Sequence, residues 1–364
     1  MMKQAWLAAA AATLGLASGA QAACSLNKLT SLNVVVENDQ ILIPGTMQGQ
    51  KVKFLFDTAY PANVMPSSAA GRLGVAVAPL AQPSYISEQD MEGNHSIGGL
   101  LIPSGAGKAD PEISLDGRAM RGVTFGVFES KDNFGPGEVA GAISGYVWRN
   151  YEVEIDLQHN LITLYESKDC AGTNFAYWAQ NYNVVDLTES GVGAEFPVKL
   201  NGREVTAILD SGSPYSTLAQ KAADKLGIDR PSSVAVVDAS PPVGVQSTDL
   251  ASLIRFTHGY GLEAQAPNIV SNNVNDLGPQ TPKSYWPAPI ATLTIDQEVI
   301  SHPVMRVVPS PRVGHEFGTR TPRNLATYDV LLGVDFLKTH RVLISHNQKK
   351  LYFSYVGGAL LGKP

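Results

Sequence analysis

The hydrophobic pattern of the chain contains one strand–turn–helix arrangement twice. Phe54-Leu55-Phe56 and Ala207-Ile208-Leu209 are apolar runs typical of buried strands. Each run ends at an aspartate that is followed by a hydroxyl residue and a small residue, and a proline then marks a turn. An alanine-rich amphipathic segment comes next and stops at Leu-Gly, where glycine favours a left-handed helix cap. The pattern predicts a buried strand, a tight turn and a short helix at both places.

These two arrangements belong to an internal repeat. Residues 49–75 and 202–228 align without a gap at an offset of 153, and eight of the 27 aligned positions are identical. Further matching pairs lie downstream: 114–123 with 294–303, Ile143-Ser144-Gly145 with Leu331-Leu332-Gly333, and the closing strands 162–164 with 351–353. A repeat of this extent predicts two complete β domains of one architecture.

The repeat also predicts the division of the chain. The offset between the copies grows from 153 to 180, which places an insertion of about 27 residues in the second copy. Its Asn, Pro and Gly content predicts a long surface loop. The predicted segments are a signal peptide (1–22), a first unit (23–170), a linker (171–195), a second unit (196–358, with the insertion at about 259–289) and a tail (359–364).

The N-terminal segment has the order of a secretory signal. Lys3 precedes an apolar stretch from Ala5 to Gly19, and Ala20-Gln21-Ala22 forms an A-x-A cleavage site. A transmembrane anchor is the first alternative, but the apolar stretch is short for a bilayer. A lipoprotein anchored at Cys24 is the second, but Gln21 stands where a large aliphatic residue is expected. We therefore expect a soluble protein in the periplasm or outside the cell.

Composition and short motifs argue against several classes of function. A formal net charge of −6 with no basic run argues against nucleic-acid binding. Two cysteines are too few for a disulfide scaffold or a cysteine zinc cluster. His315-Glu316 lacks the second histidine of a zinc-protease helix, and no phosphate-binding or dinucleotide-binding loop occurs. We expect neither a metal nor a cofactor.

The two aspartate triplets carry a family resemblance. Asp57-Thr58-Ala59 and Asp210-Ser211-Gly212 match the aspartic-protease motif of Asp, Thr or Ser, and Gly or Ala, and each is followed later by an apolar-apolar-Gly element. Over roughly residues 29–355 the chain resembles the retropepsin-like branch of that superfamily, with two copies fused. The resemblance implies an all-β, bilobed fold with short helices, in which two similar β-barrel-like units are related by a pseudo-twofold axis.

The resemblance also assigns roles to the triplets. Metal-free peptide hydrolysis needs one carboxylate to activate water and a neutral carboxyl to protonate the carbonyl, and two close aspartates that share a proton provide both. Asp57 and Asp210 are thus the expected catalytic pair. Thr58 and Ser211 would hold the two loops in register, and Ala59 and Gly212 would leave space beside the carboxylates. Either aspartate alone would suit a helix-capping turn, but the duplication favours a dyad.

A mobile cover for the substrate is expected between each helix and the next strand. In the first unit the segment 93–99 is the candidate flap tip, because Gly93, Gly98 and Gly99 permit mobility. The alternative is an ordinary exposed loop. The second flap is not identifiable within residues 238–248. The expected partner is a polypeptide in extended conformation.

Cys24 and Cys170 flank the first unit, one before its opening strand and one after its closing strand. An oxidising compartment favours a disulfide between them, and two free thiols are the alternative. The predicted function is an aspartic endopeptidase that acts as a monomer, a fused pseudo-dimer. The alternative function is a non-catalytic peptide- or protein-binding protein with the same fold. Ala59 in place of glycine, and Ser144 where the family prefers an aliphatic residue, motivate that alternative.

Overall fold

The structure, a computed structural model, describes residues 24–59, 63–79, 84–89, 96–102, 107–128, 139–188, 193–229, 286–308 and 328–361. The predicted signal peptide, Gly93 and most of the predicted insertion lie outside these residues. The described part consists mainly of strands, with short helices between them. The all-β, bilobed prediction is confirmed, because two curled sheets form the two lobes.

Strands of the first half precede residue 188. In chain order they are β1 (Ser25–Asn33), β2 (Val35–Glu37), β3 (Gln40–Met47), β4 (Gln50–Phe56), β5 (Val64–Pro66), β6 (Ala78–Pro79), β7 (Ser84–Gln89), β8 (Ser96–Ile102), β9 (Gly107–Ala109), β10 (Ile113–Leu115), β11 (Arg118–Met120), β12 (Phe125–Phe128), β13 (Val139–Ile143), β14 (Glu152–Asp156), β15 (Leu161–Lys168) and β16 (Asn183–Asp186). The helices among them are α1 (Ser67–Leu73) and α2 (Gly145–Trp148).

Strands of the second half start at residue 194. They are β17 (Ala194–Leu200), β18 (Arg203–Leu209), β19 (Thr217–Ala219), β20 (Trp286–Pro289), β21 (Thr292–Ile295), β22 (Glu298–Ser301), β23 (Val304–Val308), β24 (Val330–Leu332), β25 (His340–Ser345) and β26 (Lys350–Tyr355). The helices are α3 (Gln220–Leu226) and α4 (Val334–Leu337).

The two lobe sheets repeat one strand order. The first runs β11-β10-β3-β4-β13-β5-β12-β9-β6, and β2 pairs with β3. The second, traced in the same direction, runs β22-β21-β17-β18-β24-β19-β23-β20. Their parallel pairs also correspond, since β13 lies parallel to β4 and β24 to β18. The duplication seen in the sequence is therefore a duplication of topology.

A third sheet joins the lobes. Its order is β1-β15-β14-β25-β26-β16, so the second-half strands β25 and β26 lie between strands of the first half. The junction is the antiparallel pair β14–β25, in which Val153 lies opposite Ile344. Both side chains are buried, and the hydrophobic core runs through both lobes. The lobes are thus held by backbone hydrogen bonds as well as by apolar packing.

Helix ends follow the sequence prediction closely. Gly74 caps the C-terminus of α1 and Gly227 caps that of α3, and both glycines have φ of 67°. This left-handed conformation lets the glycine N–H reach back to carbonyls of the last turn. Among the described residues, no helix combines the length and apolar character that a membrane crossing requires.

Strands and core residues occur within several of the predicted segments, and the division itself stays a prediction. The end of the predicted insertion, Trp286–Pro289, forms β20, and its two prolines are tolerated because β20 is an edge strand. The predicted linker contributes β16 to the joining sheet, and the predicted start of the second unit at 196 falls inside β17. The predicted tail contributes Leu361 to the core, where it is 3% exposed.

The predicted disulfide is confirmed. Cys24 and Cys170 are bonded, with their Cα atoms 4.4 Å apart. Strands β1 and β15 bring them together, because Ser25 lies opposite Lys168 at the end of this antiparallel pair. The bond closes the first unit at the edge of the joining sheet.

Candidate active site

Asp57 and Asp210 occupy the same place in their lobes. Asp57 follows β4 and donates its backbone N–H to the carbonyl of Ile143 at 3.1 Å. Asp210 follows β18 and donates its N–H to the carbonyl of Leu332 at 2.9 Å. Both aspartates are 0% exposed. Each carboxylate is thus positioned by a buried strand and by the parallel strand beside it.

The same hydrogen bonds correct the predicted alignment of the two glycine elements. Because Ile143 and Leu332 perform the same role, Ser144 corresponds to Gly333, and Gly145 does not. Side chains confirm this register, since the N–H of Ser144 binds Asn63 Oδ1 at 2.8 Å while that of Gly333 binds Ser216 Oγ at 3.0 Å. The alignment made from the sequence matched glycine to glycine and was one residue out.

Thr58 and Ser211 exchange hydrogen bonds across the lobes. The N–H of Thr58 donates to Ser211 Oγ at 3.0 Å, and the N–H of Ser211 donates to Thr58 Oγ1 at 3.1 Å. The hydroxyls then donate onward to backbone carbonyls of the opposite lobe, Thr58 to Leu209 at 3.0 Å and Ser211 to Phe56 at 2.9 Å. All four bonds are buried, so they fix the distance and the angle between the two aspartate loops.

The third residue of each triplet lies against the carboxylates. The N–H of Ala59 donates to Asp57 Oδ1 at 3.0 Å, and that of Gly212 donates to Asp210 Oδ1 at 2.8 Å. A Cβ atom at Gly212 would lie 2.3 Å from Asp57 Oδ2 and 3.1 Å from Asp210 Oδ1. Both carboxylates therefore approach one point beside Gly212, and the structure brings all six predicted triplet residues together.

We expect Gly212→Ala to damage this arrangement severely. The added methyl group would overlap Asp57 Oδ2, and a displacement of about 1 Å of a reacting group can lower the rate about 100-fold. The peptidase activity expected from the sequence, measured as kcat/KM on a peptide substrate, should fall by that order, and the melting temperature, which overpacking of a buried site also lowers, is measured beside it. Gly71→Ala is the matched control, because a Cβ at Gly71 would meet no atom within 4 Å. Unchanged activity in Gly212→Ala would contradict this account of the site.

The candidate flap is only partly described. Strands β7 and β8 form a two-stranded antiparallel sheet of their own, in which Ser87 lies opposite Gly99. Gly98 and Gly99 lie within β8, which begins at Ser96. They are therefore strand residues of a two-stranded sheet, and the flap stays a prediction. Gly93 lies outside the described residues.

Sequence reasoning missed the residues that support the loops from behind. Asp335 accepts hydrogen bonds from the backbone N–H of Ser216 at 2.8 Å and from its hydroxyl at 2.6 Å. Burial raises the pKa of Asp335, and these hydrogen bonds oppose that shift. Asn63 holds the corresponding place in the first unit, 153 positions before Ser216. The offset of 153 between the two copies was the sequence signal that could have identified Asn63 and Ser216 as corresponding residues.

Comparison with known families agrees with this geometry. Residues 196–259 match the family model described as aspartyl protease, and the match includes Asp210-Ser211-Gly212. Over these residues the chain is similar to the retropepsin-like aspartyl proteases. A search of curated proteins found no match. Among the described residues, no group of three or more His, Cys, Asp or Glu side chains could hold a metal ion.

Proposed function

We propose that the protein is an aspartic endopeptidase in which Asp57 and Asp210 form the catalytic dyad. The observation that carries the proposal is the convergence of both carboxylates beside Gly212, held by the reciprocal bonds of Thr58 and Ser211. The aspartyl protease match supports the general class of activity.

The proposed reaction is the attack of water on a peptide carbonyl. Two carboxylates this close share one proton, because two adjacent negative charges repel in a buried site. The ionised carboxylate takes a proton from water as its oxygen bonds to the carbonyl carbon, and the neutral carboxyl gives its proton to the carbonyl oxygen. Collapse of the tetrahedral intermediate then breaks the C–N bond: the leaving nitrogen receives the proton that the first carboxylate took from water, and the second carboxylate regains its proton from the hydroxyl of the intermediate as the carbonyl re-forms.

The proposed substrate is a polypeptide in extended conformation between the lobes. An extended segment can pair its backbone with an exposed strand, and the hairpin β7–β8 is the candidate partner in the first lobe. In this role the hairpin would exclude water from the dyad when it closes.

The direct test is proteolysis of an unfolded protein over a range of pH. We expect cleavage that a pepstatin-like transition-state mimic blocks and that a metal chelator leaves unchanged. Cleavage that persists with the mimic but stops with the chelator would contradict the dyad mechanism.

A second candidate is a non-catalytic peptide-binding protein. The observation that favours it is Ser144, which stands at the position of Gly333 and is 0% exposed. Among the described residues, its hydroxyl has no hydrogen-bond partner, which is costly in a buried site. Tight peptide binding without cleavage at every pH would favour this candidate over the enzyme.

Export and domain division are part of the proposal. The disulfide between Cys24 and Cys170 supports an oxidising compartment, either the periplasm or the exterior. We propose two retropepsin-like units in one chain, acting as a fused pseudo-dimer. Intact-mass measurement of the exported protein should give a chain that starts at Ala23, and a retained Met1 would contradict the signal peptide.

A further inference from the structure

A row of four side chains crosses the sheet of the second lobe on one face. Strand register places Ile208 opposite Leu331, Leu331 opposite Thr217, and Thr217 opposite Arg306. Residues directly opposite each other in neighbouring strands point to the same face. The alternate positions, including Leu218 and Val307, are at most 1% exposed and fill the core. The row that ends at Arg306 therefore lies on the face away from the lobe's core.

This face is turned toward the first lobe and the dyad. A Cβ atom at Gly193 would lie 2.5 Å from Ile208 Cδ1 and 3.6 Å from the Cα of Ala59. The Ile208 side chain is therefore close to the first aspartate triplet, and Asp210 follows Ile208 by two positions. Arg306 lies three strands away from β18 along the same face. At about 4.8 Å per strand that is roughly 14 Å, which corresponds to about four residues of an extended substrate.

The Arg306 guanidinium is held in place by its neighbours. Its central carbon lies 3.5 Å from the ring centroid of Tyr215, three residues after Gly212. This distance is typical of a cation–π contact. Arg306 also interacts electrostatically with the buried Asp335, whose carboxylate accepts a hydrogen bond from the hydroxyl of Ser216. The side chain is half-buried, and stacking reduces the entropy that it would lose on binding a ligand.

The first lobe has a glycine at the position that corresponds to Arg306. Gly126 lies opposite Val64 in the strand pair that corresponds to Arg306 and Thr217. Glycine offers no side chain at this position. The two lobes thus differ in side chain at this position, although their strands follow the same order, and in the first lobe the next residue of the row is Lys108, opposite Gly126.

We propose that Arg306 is a specificity-determining residue that binds the carboxylate side chain of a polypeptide substrate, within about four residues of the scissile bond. This inference rests on the proposed function. The planar guanidinium suits a carboxylate because it donates two parallel N–H bonds. The substrate class is therefore a polypeptide with Glu or Asp on the side bound by the second lobe.

The test compares peptides that differ only by Glu or Gln at one position, scanned on both sides of the cleaved bond. At one position we expect kcat/KM to favour Glu by about 10- to 100-fold, as a charge-assisted hydrogen bond provides. Arg306→Gln should reduce that ratio to about 1, and Arg306→Lys should retain part of it. Arg203→Gln is the matched control, because Arg203 is exposed at the start of β18 and its loss changes the net charge equally. The preference should fade as the pH drops through about 4.3, where the substrate Glu becomes neutral.

Binding measurements separate this inference from the proposed function. The same peptides are titrated into Asp210→Asn, with and without Arg306→Gln. Cleavage by the wild-type protein with no Glu preference at any position, or a preference that survives Arg306→Gln, overturns the role of Arg306 and leaves the protease. No cleavage, but Glu-selective binding that Arg306→Gln removes, overturns the protease and leaves the subsite. Neither cleavage nor binding of any peptide overturns both.

Discussion

Replacing Asp57 or Asp210 with asparagine is expected to lower kcat/KM by about 10⁴-fold or more in each single variant. Asparagine keeps the shape of the side chain, but it can neither take a proton from water nor share one with its partner. Because the two carboxylates act as a unit, the double variant should be no less active than either single variant. The measurement is kcat/KM on a peptide that the wild-type protein cleaves.

Stability distinguishes this result from simple unfolding. The free energy of unfolding should change little in the asparagine variants, because asparagine keeps the shape of the side chain and an oxygen that can accept the hydrogen bond from the loop N–H group. Asp229→Asn is the control, since Asp229 is exposed beyond α3 and the same substitution there should leave activity unchanged. Full activity in Asp57→Asn, together with its loss in Asp210→Asn, would contradict a dyad built from both lobes.

Removal of the Cys24–Cys170 bond is expected to lower the free energy of unfolding by about 4 to 5 kcal/mol. The two cysteines are 146 positions apart, and opening so long a loop raises the entropy of the unfolded chain. Urea unfolding of a Cys24→Ser, Cys170→Ser double variant measures the change from the shift in midpoint.

Reduction provides the control for that experiment. A thiol reductant should shift the unfolding midpoint of the wild-type protein toward that of the double variant and have no effect on the variant itself. A loss below about 1 kcal/mol would show that the unfolded chain gains little freedom when this loop opens.

Local chemistry explains why much of the fold could be predicted. The apolar run, the aspartate turn and the glycine cap are short-range features, and each acts in the same way in both copies. The repeat then implied a common strand order, which the two lobe sheets have. The triplet residues were found for the same reason, since the motif and its surroundings are contiguous in sequence.

Long-range register is what the sequence could not provide. The sequence alignment paired Gly145 with Gly333 because both are glycines. The hydrogen bond from Asp57 to Ile143 shows that Ser144 is the residue that corresponds to Gly333. Strand β16 was missed because its four residues gain their partners from β26, far along the chain. The position of Arg306 beside Tyr215 depends on three strand pairings and has no local signal.

The joining sheet has a consequence for how the site forms. Separate chains that meet to build a shared site do so in proportion to their concentration, and dilution separates them. Here β14 and β25 meet within one covalent chain, where the effective concentration of one strand for the other is set by the connection between them. The meeting of the two aspartate loops is therefore a first-order event, and its equilibrium is independent of dilution.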